Sequence, residues 1–210
     1  MMETVAVVLA AGKGARLGGP KALLRWSAGG KPRPLAIAHA EARLGADCTR
    51  VLIVARKPVV QALISFVVPG IDLLVSTAPD EQGPAGSIAT AAGRLDAAER
   101  VLVFPVDTVP AKATTVASLF ARLGTGGAAP LAVRPRHGGR GGHPVALQAK
   151  ALERYREPNP PPLRDHLQAL GEACVDEDVD DPDVLVDFDT PSEAMRVLRT
   201  PVTFFGADGK

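Results

Sequence analysis

Aromatic side chains are scarce, 4% of 210 residues, so a hydrophobic core has to be assembled from Ala, Val and Leu. Neither sign of charge is in excess: 24 Lys and Arg stand against 23 Asp and Glu. Without a broad basic field the chain is poorly suited to nucleic acid or to an anionic membrane surface, and small ligands are expected instead. No apolar run approaches the ~20 residues that cross a bilayer. The first residues lead into an apolar run without a signal-peptide pattern, which points to the cytoplasm. Cysteine is nearly missing. Cys48 and Cys174 lie far apart without companion ligands, which argues against a disulfide framework or a zinc site and for two reduced thiols.

What is present is a regular alternation. Apolar runs at 5–9, 51–55, 71–76, 101–105 and 131–134 read as buried strands, and helical spacing marks 34–44, 58–67, 85–98 and 111–123. Parallel strands need crossover connections, so this order predicts a mostly parallel, Rossmann-like sheet in a three-layer α/β/α arrangement, as a single domain over 1–210. The last third is less regular, with a short strand at 144–147, a proline-rich connection at 157–162 and an extended stretch at 184–187. A helix at 191–198 closes the chain, with Thr190 as its cap and Glu193 at capping-box spacing.

The most informative segment follows the first strand: Leu9, Ala10, Ala11, Gly12, Lys13, Gly14, Ala15, Arg16, Leu17, Gly18, Gly19, Pro20, Lys21. Its glycines let backbone N–H groups close on an anion, and Arg16 and Lys21 add fixed positive charge, as a polyphosphate site requires. A dinucleotide fingerprint fails because Leu17 stands where its third glycine belongs. A P-loop fails because Pro20 follows Gly19. Without Arg16 and Lys21 the same pattern reads equally as a flexible turn.

Carboxylates suited to a metal stand in two places. Asp107 follows a buried strand on the sheet edge that carries the glycine loop, where a triphosphate's Mg²⁺ takes one or two carboxylates. A strand-end Asp just before Pro110 also reads as a turn opener. Asp187 and Asp189 point to the same side if that segment is extended, and could share the cation with Asp107. Sequence leaves open which of the two reaches it. Asp176, Asp178 and Asp180 imitate the start of a calcium loop, but Asp181 replaces the turn glycine and Asp187 the final Glu. That stretch reads as a solvated acidic loop. Gln82 to Ile88 introduces a helix whose first free N–H groups, with Ser87, suit a base or ribose, and the segment reads equally as a plain loop-to-helix turn. His39, His137 and His166 read as ordinary surface or core residues.

The segment from Leu9 to Lys21 fills every fixed position of LAAGxGxRxGxxK and resembles the signature of nucleotidyltransferases of the molybdenum-cofactor type. Three further elements resemble that family in order: 105–110 (PVDTVP), 142–145 (GHPV) and 187–191 (DFDTP). The resemblance implies that Leu9, Ala10, Ala11, Gly12, Gly14, Arg16, Lys21, Gly83 and Ser87 bind the nucleotide. It implies that Asp107 with Asp187 or Asp189 holds Mg²⁺, that Gly142, His143 and Pro144 flank the acceptor, and that Arg16, Lys21 and Asp107 act in catalysis. The implied substrates are a nucleoside triphosphate and a phosphorylated acceptor such as molybdopterin, with a molybdoenzyme or its chaperone as transient partner. Gly83-Pro84 resembles the guanylyl branch, whereas LAAG and Gly86-Ser87-Ile88 resemble the cytidylyl branch, and CTP is expected. A sugar-phosphate or polyol-phosphate nucleotidyltransferase, a GTP-using relative and a non-catalytic nucleotide binder are the other readings.

Overall fold

The computed structural model describes residues 3–27, 30–45, 47–96, 98–124 and 129–206. Its first strand, β1 (Thr4–Leu9), is buried along its whole length, and its side chains divide by alternation. Ala6 and Val8 enter one apolar cluster, while Val5, Val7 and Leu9 enter another. A strand covered on both faces has no polar side, which is why its sequence is an unbroken apolar run rather than an alternating one.

The remaining sheet strands are β4 (Arg50–Ala55), β5 (Ile71–Val75), β6 (Arg100–Pro105), β7 (Ala132–His137), β8 (Arg140–Gly141), β9 (Val145–Gln148) and β10 (Cys174–Asp178). They lie in the order β10-β7-β9-β6-β1-β4-β5, with β8 paired to β7. Strands β6, β1, β4 and β5 are mutually parallel. β9 runs antiparallel between β6 and β7, and β10 is parallel to β7. A separate two-stranded ribbon joins β2 (Arg25–Trp26) to β3 (Arg33–Pro34).

Helices cover both faces. Side chains of α1 (Leu35–Arg43), α2 (Lys57–Leu63), α4 (Ala113–Leu123) and α6 (Pro191–Leu198) pack into the cluster that holds Ala6. α3 (Gly83–Ala92), α5 (Leu163–Ala169) and the 3-10 turns of Ala149–Arg156 pack into the cluster that holds Val5. The expected three-layer α/β/α architecture is therefore present.

Three expectations from the last part of the chain need correcting, along with one helix. The stretch expected as a solvated acidic loop begins as β10, whose charges are paired: Arg134 donates to Asp176 at 2.9 and 3.1 Å. Within the same stretch Asp181 is fully buried and accepts from the Lys112 backbone N–H at 3.0 Å and the Thr115 hydroxyl at 2.7 Å. It thereby serves the first turn of α4, whose free N–H groups favour an anion. Pro182–Leu185 is a 3-10 turn, and Asp187 makes only an isolated bridge to Thr108, so no extended strand leads into Asp189. The helix expected over 85–98 stops at Ala92, and residue 97 lies outside the described residues.

Candidate active site

The four parallel strands deliver their carboxyl ends to one edge of the sheet, where ligands of open α/β sheets bind. Leu9 and Pro105 are register partners, so the glycine loop and Asp107 leave from neighbouring strand ends. Arg56 follows β4 and Ser76 follows β5. Together they border a groove of about 450 Å³ lined also by Ala11, Gly12, Gly14, Arg16, Lys21, Gly83, Ser87 and Asp189. That volume lies within the ~300–1,000 Å³ usual for small-molecule sites.

The loop's shape follows from Gly14. Its carbonyl accepts from the N–H groups of Leu17, Gly18 and Gly19 at 2.9, 3.1 and 3.2 Å, curling the chain around one oxygen. Gly14 has φ +62°, and a Cβ there would stand 1.9 Å from the Gly19 carbonyl oxygen. No side chain fits.

The curl presents two cations. Lys21 Nζ donates to Asp107 Oδ2 at 2.7 Å and to Asp189 Oδ1 at 2.6 Å, and Arg16 Nη2 lies 2.7 Å from Asp189 Oδ2. Burial by itself lowers the Lys21 pKa, but the hydrogen bonds and charges of the two aspartates outweigh it and raise the value above 10.5. The hydrogen bond from Lys21 holds the Asp189 carboxyl below its ordinary range, with Arg16 adding to the effect. Residues from the start, middle and end of the chain thus meet at one ammonium.

Asp189 is aimed by the cap of α6. Glu193 Oε2 accepts from the Asp189 and Thr190 N–H groups, each at 3.0 Å, while the Glu193 N–H donates to Thr190 Oγ1 at 3.4 Å. The capping box expected from Thr190 and Glu193 is formed. Asp107 is fixed by the Phe188 N–H, which donates to its carbonyl at 3.1 Å.

Other expected residues fall outside the groove lining. Ala10 is buried, with its N–H on the Val54 carbonyl at 2.8 Å. Asp187 is exposed and is not brought to the ammonium. Its charge, with that of Asp107, acts on His143, whose pKa burial nonetheless lowers. Gly142 packs so tightly that a Cβ would meet the Val184 carbonyl oxygen at 2.1 Å, and the His143 N–H donates to that same carbonyl at 2.8 Å. His143 and Pro144 therefore follow a fixed turn next to Asp107 rather than lining the groove.

The groove also holds Lys13, Arg56, Ser76 and Asp80, none of them expected as site residues from sequence. Asp80 bridges Lys13 and Arg56 at 2.5 Å each, tying the glycine loop to the segment before α3. Lys13 fills a variable position of the glycine-loop signature and Asp80 stands in no recognisable motif, so only their meeting in space marks them.

The donor set at Lys21 suits a hard cation. Two carboxylates face one point, and oxygen ligands are what Mg²⁺ or Mn²⁺ prefers. Among the described residues no three His, Cys, Asp or Glu side chains come together as a metal site, so phosphate oxygens and water would have to complete a shell.

Known proteins bear on this arrangement. No curated protein matches the chain. The crystal structure of Rv0371c from Mycobacterium tuberculosis H37Rv is 20% identical, with a TM-score of 0.77 over 95% of this chain and 98% of that one. Rv0371c in complex with manganese gives 18%, 0.73, 95% and 99%. The 4-diphosphocytidyl-2C-methyl-D-erythritol synthase of Anaerococcus prevotii DSM 20548 gives 12%, 0.68, 94% and 95%. At these identities the likeness carries the fold. The MobA-like NTP transferase domain matches residues 6–174, which takes in the glycine loop, Lys21, Asp107 and the turn at His143. The chain belongs to this MobA-like family and is a nucleotidyltransferase.

Proposed function

We propose that the protein transfers CMP from CTP to a phosphorylated acceptor of the molybdopterin type and releases pyrophosphate. The observation that carries this reading is the convergence of Lys21 and Arg16 with Asp107 and Asp189 at one end of a groove bounded by the glycine loop. An acceptor phosphate oxygen forms the new bond to the α-phosphorus. The bond from that phosphorus to its bridging oxygen breaks, and its electrons leave with pyrophosphate. A phosphate nucleophile is already an anion and brings no proton to remove.

Arg16 and Lys21 neutralise the charge that grows on the departing phosphates, and the backbone N–H groups of the curled loop hold the triphosphate in line. Asp107 and Asp189 would hold Mg²⁺, which supplies further charge withdrawal from the phosphate oxygens. His143, outside the groove lining but next to Asp107, is the proposed hydrogen-bond donor to an acceptor that extends past Asp107 beyond the groove, and handover to a molybdoenzyme or its chaperone belongs to the same proposal.

The choice of CTP rests on Ala11, which lines the groove: a pyrimidine leaves room for its methyl group, whereas a purine presses on it. Pyrophosphate release measured with CTP and GTP, molybdopterin being the acceptor, tests both substrates. CTP should show a kcat/KM higher by about tenfold or more, the scale of a pocket that fits one ring and crowds another. An equal or higher value for GTP overturns the base assignment. Release with sugar or polyol phosphates but not with molybdopterin overturns the acceptor.

A further inference from the structure

The inward side of α1 carries Leu35, Ala36, Ile37 and Ala40, yet His39 and Arg43, also on this helix, are buried to 1% and 5% exposure. Polar groups are costly to bury unless bonded, and both bond to one loop. His39 Nε2 lies 2.9 Å from the Thr108 carbonyl oxygen, and since a carbonyl only accepts, Nε2 carries the proton. Four residues on, Arg43 Nη2 donates to the Ala111 carbonyl at 2.8 Å, while its Nη1 is held by Asp47 at 2.6 Å. The imidazole is further fixed by Phe104, whose ring centroid lies 5.3 Å away.

The loop so gripped is the one that carries Asp107. From the other side the Thr108 hydroxyl donates to the Pro105 carbonyl at 3.0 Å, and Thr108 pairs with Asp187 in an isolated bridge. Thr108 is therefore the point at which α1, the end of β6 and the terminal acidic segment are tied together. The space among His39, Arg43, Phe104, Thr108 and Pro144 amounts to about 10 Å³, at the lower limit for one water. No ligand fits beside the ring, so its role lies in the loop it holds.

We propose that His39 is a positioning residue that sets the reach of Asp107, and through the Thr108–Asp187 bridge the placement of the segment bearing Asp189. This rests on the reading of Asp107 and Asp189 as the metal-holding pair. A histidine acting in this way adds no charge to the groove. It fixes a backbone carbonyl one residue from a working carboxylate.

His39→Gln keeps an N–H at the reach of Nε2, His39→Asn has one too short to arrive, and His39→Leu has none. Mn²⁺ is titrated into each variant with a non-hydrolysable CTP analogue, followed by electron paramagnetic resonance, beside kcat, CTP KM and Tm. His39→Leu and His39→Asn should weaken Mn²⁺ binding and lower kcat by about tenfold or more, the usual scale for losing a group that orients a metal ligand. The CTP KM should change by less than about twofold, and His39→Gln should recover most of both losses. If His39→Leu does not fold, the contrast between Asn and Gln carries the test. Equal behaviour of Asn and Gln, or a fall in Tm with kcat and Mn²⁺ binding unchanged, overturns the proposal. Asp107→Asn separates the two levels: retained turnover there sinks the metal reading, whereas an inactive Asp107→Asn beside a fully active His39→Leu sinks only the assignment of His39.

Discussion

Lys21 and Arg16 meet the same carboxylate from very different surroundings. The Lys21 side chain is 12% exposed and Arg16 is 74% exposed, so the Arg16–Asp189 contact is largely screened by water and adds little to stability. Lys21 works in a drier place, where a fixed charge costs no reorganisation during the reaction. Lys21→Ala should lower kcat by about 100-fold or more, the scale for removing a preorganised charge at a developing anion. Steady-state kinetics with CTP checks it, and a change confined to the nucleotide KM would make Lys21 a binding group alone. Lys21 and Arg16 were legible in the sequence because the glycines beside them announce what they serve. His39 was not legible: its partner lies 69 residues away, and a lone histidine on a helix carries no sign of which carbonyl it will meet.

Among the elements, the start of α6 ties capping to the site. Its Glu193 carboxylate gathers the N–H groups of Asp189 and Thr190, so the group that begins the helix also orients the acid beside Lys21. Thr190→Ala removes the hydroxyl that accepts from Glu193 and should cost about 1 kcal/mol of stability. It should also reduce kcat, because Asp189 loses part of its support. Urea unfolding and initial rates on the same variant decide whether the two effects travel together, and lost stability with an unchanged rate would detach the cap from the site. This cap could be read ahead of the structure because all its parts lie within four residues. The first turn of α4 could not, since Asp181 reaches it from 66 residues downstream at Thr115. β10 was hidden for a related reason. Asp and Glu disfavour strands by themselves, and only the cross-strand pairing of Asp176 with Arg134 makes an acidic edge strand tolerable.

For the molecule as a whole, these charges predict an asymmetric response to pH. The folded pKa of Asp189 lies below its ordinary 3.8, so its share of stability is present above that pH and lost as pH falls through the lower folded value. That of Lys21 lies above 10.5, so its share is present below 10.5 and lost as pH rises through the folded value. Neither titrates between those limits. His39 does, because burial pushes its imidazole down from 6.5 to about 4. Between those values the unfolded chain binds a proton that the folded one refuses, and stability falls as pH drops from 6.5 towards 4. At about 1.4 kcal/mol for each pH unit, the loss is on the order of 3 kcal/mol. Stability measured across this range should therefore slope in the unaltered protein and slope less in His39→Gln, where His143, also lowered by burial, keeps part of the dependence; identical slopes would assign the acid sensitivity elsewhere.

The pairing of Lys21 with Asp107 and Asp189 spans 86 and 168 residues of sequence, and this bears on how the protein comes into being. Contacts so distant are made late, after the entropy of closing long loops has been overcome. On a ribosome the glycine loop emerges first, Asp107 follows 86 residues later, and the second counter-charge is missing until the segment around Asp189 has been synthesised. A nascent chain can curl the loop around Gly14 from local bonds alone. It cannot complete an ion cluster that needs a residue not yet translated, so the full set of charges around Lys21 arrives only with nearly the whole of this sequence.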